Sequence, residues 1–222
     1  MSIVTEAKGW SVIEDRVLYL QKLVVGLDVL DVGCTGIRAD GRIPDPATGL
    51  HKALRSAARS LMGVDIDGQG VERMSKAGFN VVCSDITTMD LGRDFDVIVA
   101  GEIVEHLPNP CLSLANLKRH LRPAGKLVLT TPNAFQIHLV SKVLRHGLIR
   151  VHEEHTAWYD PQTLSVMLRH AGLRLVTGVW IHSRQRFSLL GLLAKWRRYY
   201  NRSFLVVAVA QDEGVCPDPG LR

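Results

Sequence analysis

Five short apolar runs, at 27–32, 61–66, 79–86, 94–101 and 126–132, set the tightest limit on how this chain can fold. Each is rich in Val, Ile or Leu, and four of them carry an acid at or just past their end. Such runs read as buried strands. The segments between them have a different period. Residues 49–60 are Ala-rich and helical, with Thr48 or Asp45 as N-cap. Residues 70–77 are helical and stop at Gly78, and 111–121 place Leu112, Leu114, Leu117 and Leu121 inward. Ahead of the first strand, Val12, Ile13, Val17, Leu20 and Val24 predict one N-terminal helix that ends at Gly26. After the fifth strand come helix and loop over 133–156, then a helix started by Asp160 and Pro161, then strands at 173–181 and 203–211. Strands that alternate with helices give βαβ units. The expected fold is therefore α/β and Rossmann-like, a seven-stranded, mainly parallel sheet with helices on both faces. The pattern alone leaves the direction of the last two strands open.

A chain of 222 residues with 46% hydrophobic residues suits one domain with a sizeable core, placed here at 1–211 and followed by a flexible tail at 212–222. The N-terminus lacks a basic stretch followed by an apolar one. No apolar run is long enough to span a bilayer, so a cytoplasmic protein is expected. The four cysteines form no CxxC pair, which argues against a zinc knuckle. The net charge of +5 is uneven: 181–202 contains Arg184, Arg186, Lys195, Arg197, Arg198 and Arg202 and no acid.

In an open α/β sheet the ligand lies at the carboxyl ends of the strands. The first strand ends in Asp31-Val32-Gly33-Cys34-Thr35-Gly36. Its glycines permit a tight turn. There is no GK[ST] for a P-loop, and Thr35 stands where a dinucleotide fingerprint needs glycine. The acids carry more. Asp65 ends the second strand with Ile66 beside it and can accept from both hydroxyls of a ribose. Asp85 ends the third and, with Ile86, suits an adenine. Ala100-Gly101-Glu102 end the fourth with small residues and an acid. Asp31 beside the glycine turn disfavours a pyrophosphate and suits a cationic ligand, which points to S-adenosylmethionine rather than NAD.

The blocks VLDVGCTG, GVDID, SDI, FDVIVAGEIVEHLPNP and LRPAGKLVLTTPN together resemble the class I S-adenosylmethionine-dependent methyltransferases. They are most similar to the branch of ubiquinone-type O-methyltransferases and small-molecule and sugar methyltransferases. The resemblance runs from about residue 28 to 175 and implies S-adenosyl-L-methionine as cofactor. It implies that Asp31, Gly33, Cys34, Thr35 and Gly36 hold the methionine part, Asp65 and Ile66 the ribose edge, and Asp85 and Ile86 the adenine, with Gly101 and Glu102 lining the site. It also implies that the last strand is antiparallel, inserted beside the fifth. The chain departs from the family at 37–48, an apparent insertion that reads equally as a surface loop or as a lid at the acceptor mouth.

An oxygen acceptor needs a base or a metal to remove its proton. If 102–106 is helical, Glu102, Glu105 and His106 share one face. With His155 as a fourth ligand they could hold a divalent ion such as Mg. This resembles the metal site of small-RNA 2′-O-methyltransferases. The competing reading is that Glu-His after this strand serves loop structure, as in metal-free members of the branch. His106 or His155 could instead act as a general base. The other histidines, 51, 120, 138, 146, 152, 170 and 182, read mainly as surface or helix-end residues.

The acceptor-side elements are placed at 133–160 and 181–202. The basic stretch in the second reads as a packed helix or hairpin with a solvated edge. Alternatively, 184–202 contacts an anionic acceptor, a membrane surface or RNA, with Trp158, Trp180, Trp196, Tyr199 and Tyr200 available to stack on a ring. The expected function is methyl transfer to oxygen, less readily nitrogen or carbon, of a small molecule or glycan. The alternatives are a metal-dependent RNA 2′-O-methyltransferase and a non-catalytic cofactor-binding or scaffold protein of the same fold.

Overall fold

The computed structural model describes residues 3–36, 45, 49–148, 153–182 and 197–211. Their centre is an eight-stranded sheet in the order β1-β7-β8-β6-β5-β2-β3-β4. The strands are β1 Val12–Ile13, β2 Asp28–Val32, β3 Ser60–Asp65, β4 Val81–Cys83, β5 Phe95–Gly101, β6 Leu121–Pro132, β7 Leu173–Ile181 and β8 Ser203–Ala210. Pairing is parallel from β4 through β6. Strand β8 lies between β6 and β7 and runs antiparallel to both. Chain order reverses between β2 and β5, so the crevice for a ligand opens above those two strands.

Each sheet face carries its own apolar layer. Leu30, Ile98, Leu127, Leu129, Trp180 and Phe204 belong to one, and Val29, Val97, Val99, Val128, Leu205 and Val207 to the other. Alternate residues of one strand point to opposite faces. A central strand buried on both sides is therefore apolar through its middle, as Val29-Leu30 of β2 and Val97 to Ala100 of β5 are, with acids toward the strand ends.

The helices are α1 Ile3–Gly9, α2 Arg16–Leu23, α3 Leu50–Arg55, α4 Gly68–Lys76, α5 Pro110–Arg119, α6 Ile137–His146 and α7 Pro161–His170. The Asp160 start of α7 forms as expected: Asp160 accepts from the Thr163 amide at 2.8 Å, and the Thr163 hydroxyl takes the Asp160 amide at 2.9 Å.

Several expectations are corrected. The single N-terminal helix is two helices with β1 between them. Asp15 caps α2 by accepting from Leu18 N at 2.9 Å. That cap frees Val12 and Ile13 to pair in parallel with Trp180 and Ile181, which adds the eighth strand. Leu112 is 49% exposed rather than inward, because α5 starts at Pro110 under an Asn109 cap; Leu114 and Leu117 face the core as expected, and Leu121 begins β6 rather than ending the helix. Helix α3 starts at Gly49 with no side-chain cap, while Thr48 lies outside the described residues. Trp180 is fully buried in the core and donates Nε1–H to Ala7 O at 2.8 Å, so it offers no stacking face.

Candidate active site

The turn after β2 is built for close approach. Gly33 and Gly36 have φ of 74° and 60°, the left-handed region that favours glycine. A Cβ on Gly33 would stand 2.2 Å from Ile103 Cδ1. The turn is pinned to β3 by Gly33 N donating to Val64 O at 2.9 Å. Cys34 and Thr35 are buried, and burial pushes the Cys34 thiol up, so it is inert.

Thr35, the residue that spoils a dinucleotide fingerprint, has a clear task. Its amide and hydroxyl both donate to Asp65 Oδ2, at 3.0 and 2.7 Å, and Asp67 N donates to Oδ1 at 3.0 Å. A carboxylate accepts about four hydrogen bonds. Asp65 is thus oriented by its neighbours and keeps capacity on Oδ1. Ile66 beside it is 72% exposed, an apolar residue held at the rim. Asp85 is exposed and takes the amide and hydroxyl of Thr87 on Oδ1, both at 2.8 Å, which holds its carboxyl below the usual range. Ile86 is half-buried against the core next to it. Asp31 differs from both. It is 2% exposed, and its Oδ2 lies 2.9 Å from His51 Nδ1.

The segment after β5 is not the helix that would align Glu102, Glu105 and His106. Glu102 has φ of 57°, and only Val104–His106 form a single 3-10 turn. That backbone reversal separates the acids. Glu102 turns to Arg16 Nη1 at 2.9 Å, and Arg16 Nη1 also reaches Thr130 Oγ1 at 3.3 Å. Glu102 therefore leaves the expected four-residue cluster. Glu105 turns inward and is 2% exposed. Thr131 donates to its Oε2 at 2.9 Å, while Oε1 has no hydrogen-bond partner. Burial, with a smaller push from the Glu102 charge, raises its carboxyl to about 7.

Distant loop residues complete the cluster. Thr156 N and Ala157 N donate to Glu105 O at 2.8 and 3.3 Å, and the Thr156 hydroxyl bridges Glu105 O and Leu107 O. These bonds fix His155 edge-on to His106, with ring centroids 4.7 Å apart. One ligand atom from each of Glu105, His106 and His155 lies within 4.8 Å of the others. A carboxylate and two imidazoles are a suitable donor set for a divalent ion, and the unpartnered buried Oε1 of Glu105 fits one.

Sequence reading missed Arg16 and His51, since neither lies in a strand-end motif. Tyr199, named as available to stack on a ring, donates its hydroxyl to the carboxylate of Asp160. Arg184, Arg186, Lys195 and Trp196 lie outside the described residues, as does almost all of the 37–48 insertion.

Residues 11–177 match the model of a methyltransferase domain family. The chain belongs to that family. It is 28% identical over 184 residues to a ubiquinone biosynthesis O-methyltransferase of Coxiella burnetii, covering 75% of this chain and 74% of the relative. The enzyme of the same name from Xanthomonas oryzae pv. oryzae is 30% identical over 167 residues, or 68% of this chain and 64% of the relative. Among solved structures, the magnesium protoporphyrin IX methyltransferase of Synechocystis with bound S-adenosylhomocysteine has a TM-score of 0.58 at 14% identity, over 88% of this chain and 80% of that one. The N-methyltransferase NodS of Bradyrhizobium japonicum with S-adenosylhomocysteine has a TM-score of 0.57 at 16% identity, over 89% and 85%. The protein is an S-adenosylmethionine-dependent methyltransferase, and Asp31, Asp65, Asp85 and Glu102 lie at or just past the carboxyl ends of β2, β3, β4 and β5.

Proposed function

We propose that this methyltransferase acts on a hydroxyl oxygen of a small molecule or glycan. The observation that carries the reading is the convergence of Glu105, His106 and His155 just past β5, the strand next to the one that feeds the glycine turn. The relatives named as O-methyltransferases support it.

S-adenosylmethionine supplies a methyl group activated on sulfonium, and its in-line displacement by the acceptor oxygen leaves S-adenosylhomocysteine. Asp65 Oδ1 takes a ribose hydroxyl, and Asp85 accepts from the adenine amine while Ile86 packs on the ring. Gly33, Cys34, Thr35 and Gly36 let the ligand lie against backbone, and Gly101 gives it room above β5. Arg16 and Glu102, an oppositely charged pair beside the turn, complement the carboxylate and ammonium of the cofactor's amino-acid end. His106 or His155 accepts the acceptor's proton. Alternatively, with both histidines as ligands, a divalent ion held by Glu105, His106 and His155 would supply the Lewis acidity that lowers the acceptor hydroxyl's pKa, and neither ring would then act as base. Positioning of acceptor and methyl donor supplies much of the rate. Among the described residues no helix is long and apolar enough to cross a membrane. A cytoplasmic site of action and acceptor contacts from 37–48 and 184–202 form part of this reading.

The test is S-adenosylhomocysteine release from a panel of hydroxyl-bearing small molecules and RNA, with and without chelator. Turnover of a hydroxyl acceptor, lost in His106→Ala or His155→Ala, supports the proposal. Turnover confined to RNA overturns it.

A further inference from the structure

His51 is a buried histidine that the cofactor and acceptor contacts above leave unused and whose partner is a buried acid. It is 4% exposed and sits on the first turn of α3. The ring is wedged between Phe79, edge-on at 5.3 Å between centroids, and the backbone of β3, where a Cβ on Gly63 would stand 2.8 Å from His51 Cε1. The same Cβ would meet Cys34 Sγ at 2.7 Å, so His51 and the glycine turn pack against one point of β3. Leu50, one residue earlier, lies over Gly101 at the end of β5. The start of α3 thus rests on the carboxyl ends of β2, β3 and β5. Among the described residues, a buried polar bond fastens it there: His51 Nδ1 to Asp31 Oδ2 at 2.9 Å, with both side chains out of water.

A buried carboxylate without a partner is costly, and truncating its partner leaves that cost uncompensated. Burial pushes the Asp31 carboxyl up and the bond to His51 opposes that push. Asp31 lies in β2 two residues before Gly33, and His51 and Cys34 of the turn pack against the same point of β3, so the Asp31–His51 bond ties the start of α3 to the strand and the turn together. We propose that His51 is a positioning residue for S-adenosylmethionine. It holds the Asp31 carboxylate inside the fold and so fixes the glycine turn against which the cofactor's amino-acid end lies. The role of Asp31 is then to shape the turn from within, through His51. The inference rests on the cofactor placement above and is independent of the acceptor.

The test is calorimetric affinity for S-adenosylhomocysteine in three variants. His51→Asn puts an amide N–H near the place of Nδ1. His51→Gln keeps polarity but sends its amide further out. His51→Phe keeps the ring volume without a donor. Asn should stay within about threefold of the parent protein, whereas Gln and Phe should weaken binding about tenfold or more, the scale of a lost buried bond to a charged group. With a working acceptor, KM for S-adenosylmethionine should rise and kcat at saturation should hold. In an Asp31→Asn background, His51→Phe should cost little more. Should Phe not fold, the contrast between Asn and Gln decides. Equal affinity across the variants, or equal loss in Asn and Gln, overturns the proposal. Failure of every hydroxyl acceptor with these affinities as stated would instead sink the acceptor assignment alone.

Discussion

The two ends of the sheet use the same residue types in opposite ways. At the amino end, Asp28 and Asp96 face Arg59 and Arg122. Arg59 grips Asp28 with two nitrogens, at 3.0 and 2.8 Å, and Arg122 bridges Asp28 and Asp96 at 2.8 Å each. Ser60 and the Asp28 amide fill further lone pairs. These bonds hold both carboxyls below the ordinary range. At the carboxyl end, burial pushes Asp31 and Glu105 up, and Glu105 keeps an oxygen unpartnered. One end spends its acids on holding strands together. The other buries acids, one tied to a histidine and one with an oxygen left unpartnered, an arrangement that costs stability and that functional sites commonly carry.

The largest effect that would sharpen this contrast is on turnover. Glu105→Gln should lower methyl transfer by about 100-fold, because it removes the carboxylate grouped with the His106 and His155 pair that takes the acceptor's proton or holds the ion. It should also leave the melting temperature at pH 8 equal or higher, because a buried ionised group is replaced by a neutral one of the same shape. A large fall in melting temperature would make Glu105 a structural acid and erase the contrast. Asp65→Ala should weaken S-adenosylhomocysteine binding about tenfold or more, read by calorimetry, through loss of charge-assisted hydrogen bonds. Unchanged affinity would break the cofactor assignment.

Smaller effects belong to the amino end. Asp28→Asn should lower thermal stability while leaving S-adenosylhomocysteine affinity unchanged, since the ligand end lies across the sheet. The pH dependence has a definite sign. Asp28 and Asp96 have folded pKa values below their ordinary 3.8. Their contribution is therefore complete above that value and is lost as pH falls through the folded values. Chemical denaturation below pH 4 should show this acid limb, and Asp28→Asn should flatten it.

Much of this was legible in the chain itself. Asp31, Asp65, Asp85 and Glu102 are visible in the sequence as strand-end acids, because a strand's apolar run and its terminus are local features. The Asp160 cap was legible for the same reason, since a cap bonds within three residues. The shared face of Glu102, Glu105 and His106 depended on 102–106 being helical, and one backbone angle, the left-handed φ of Glu102, which no periodicity reveals, rules that out. That angle sends Glu102 to Arg16 and Glu105 into the core, so two acids three residues apart have different partners, and burial raises the Glu105 carboxyl.

The sequence by itself determined the alternation of strands and helices, the acid-tipped ends and the family's cofactor, because these depend on neighbours a few residues apart. Only the tertiary structure decided that His155 joins Glu105 through Thr156, that Arg16 crosses to β6, and that His51 secures Asp31. Those pairings are made by side chains far apart in the chain. Their meeting depends on how helices and loops pack over the sheet, and burial then sets which charges remain.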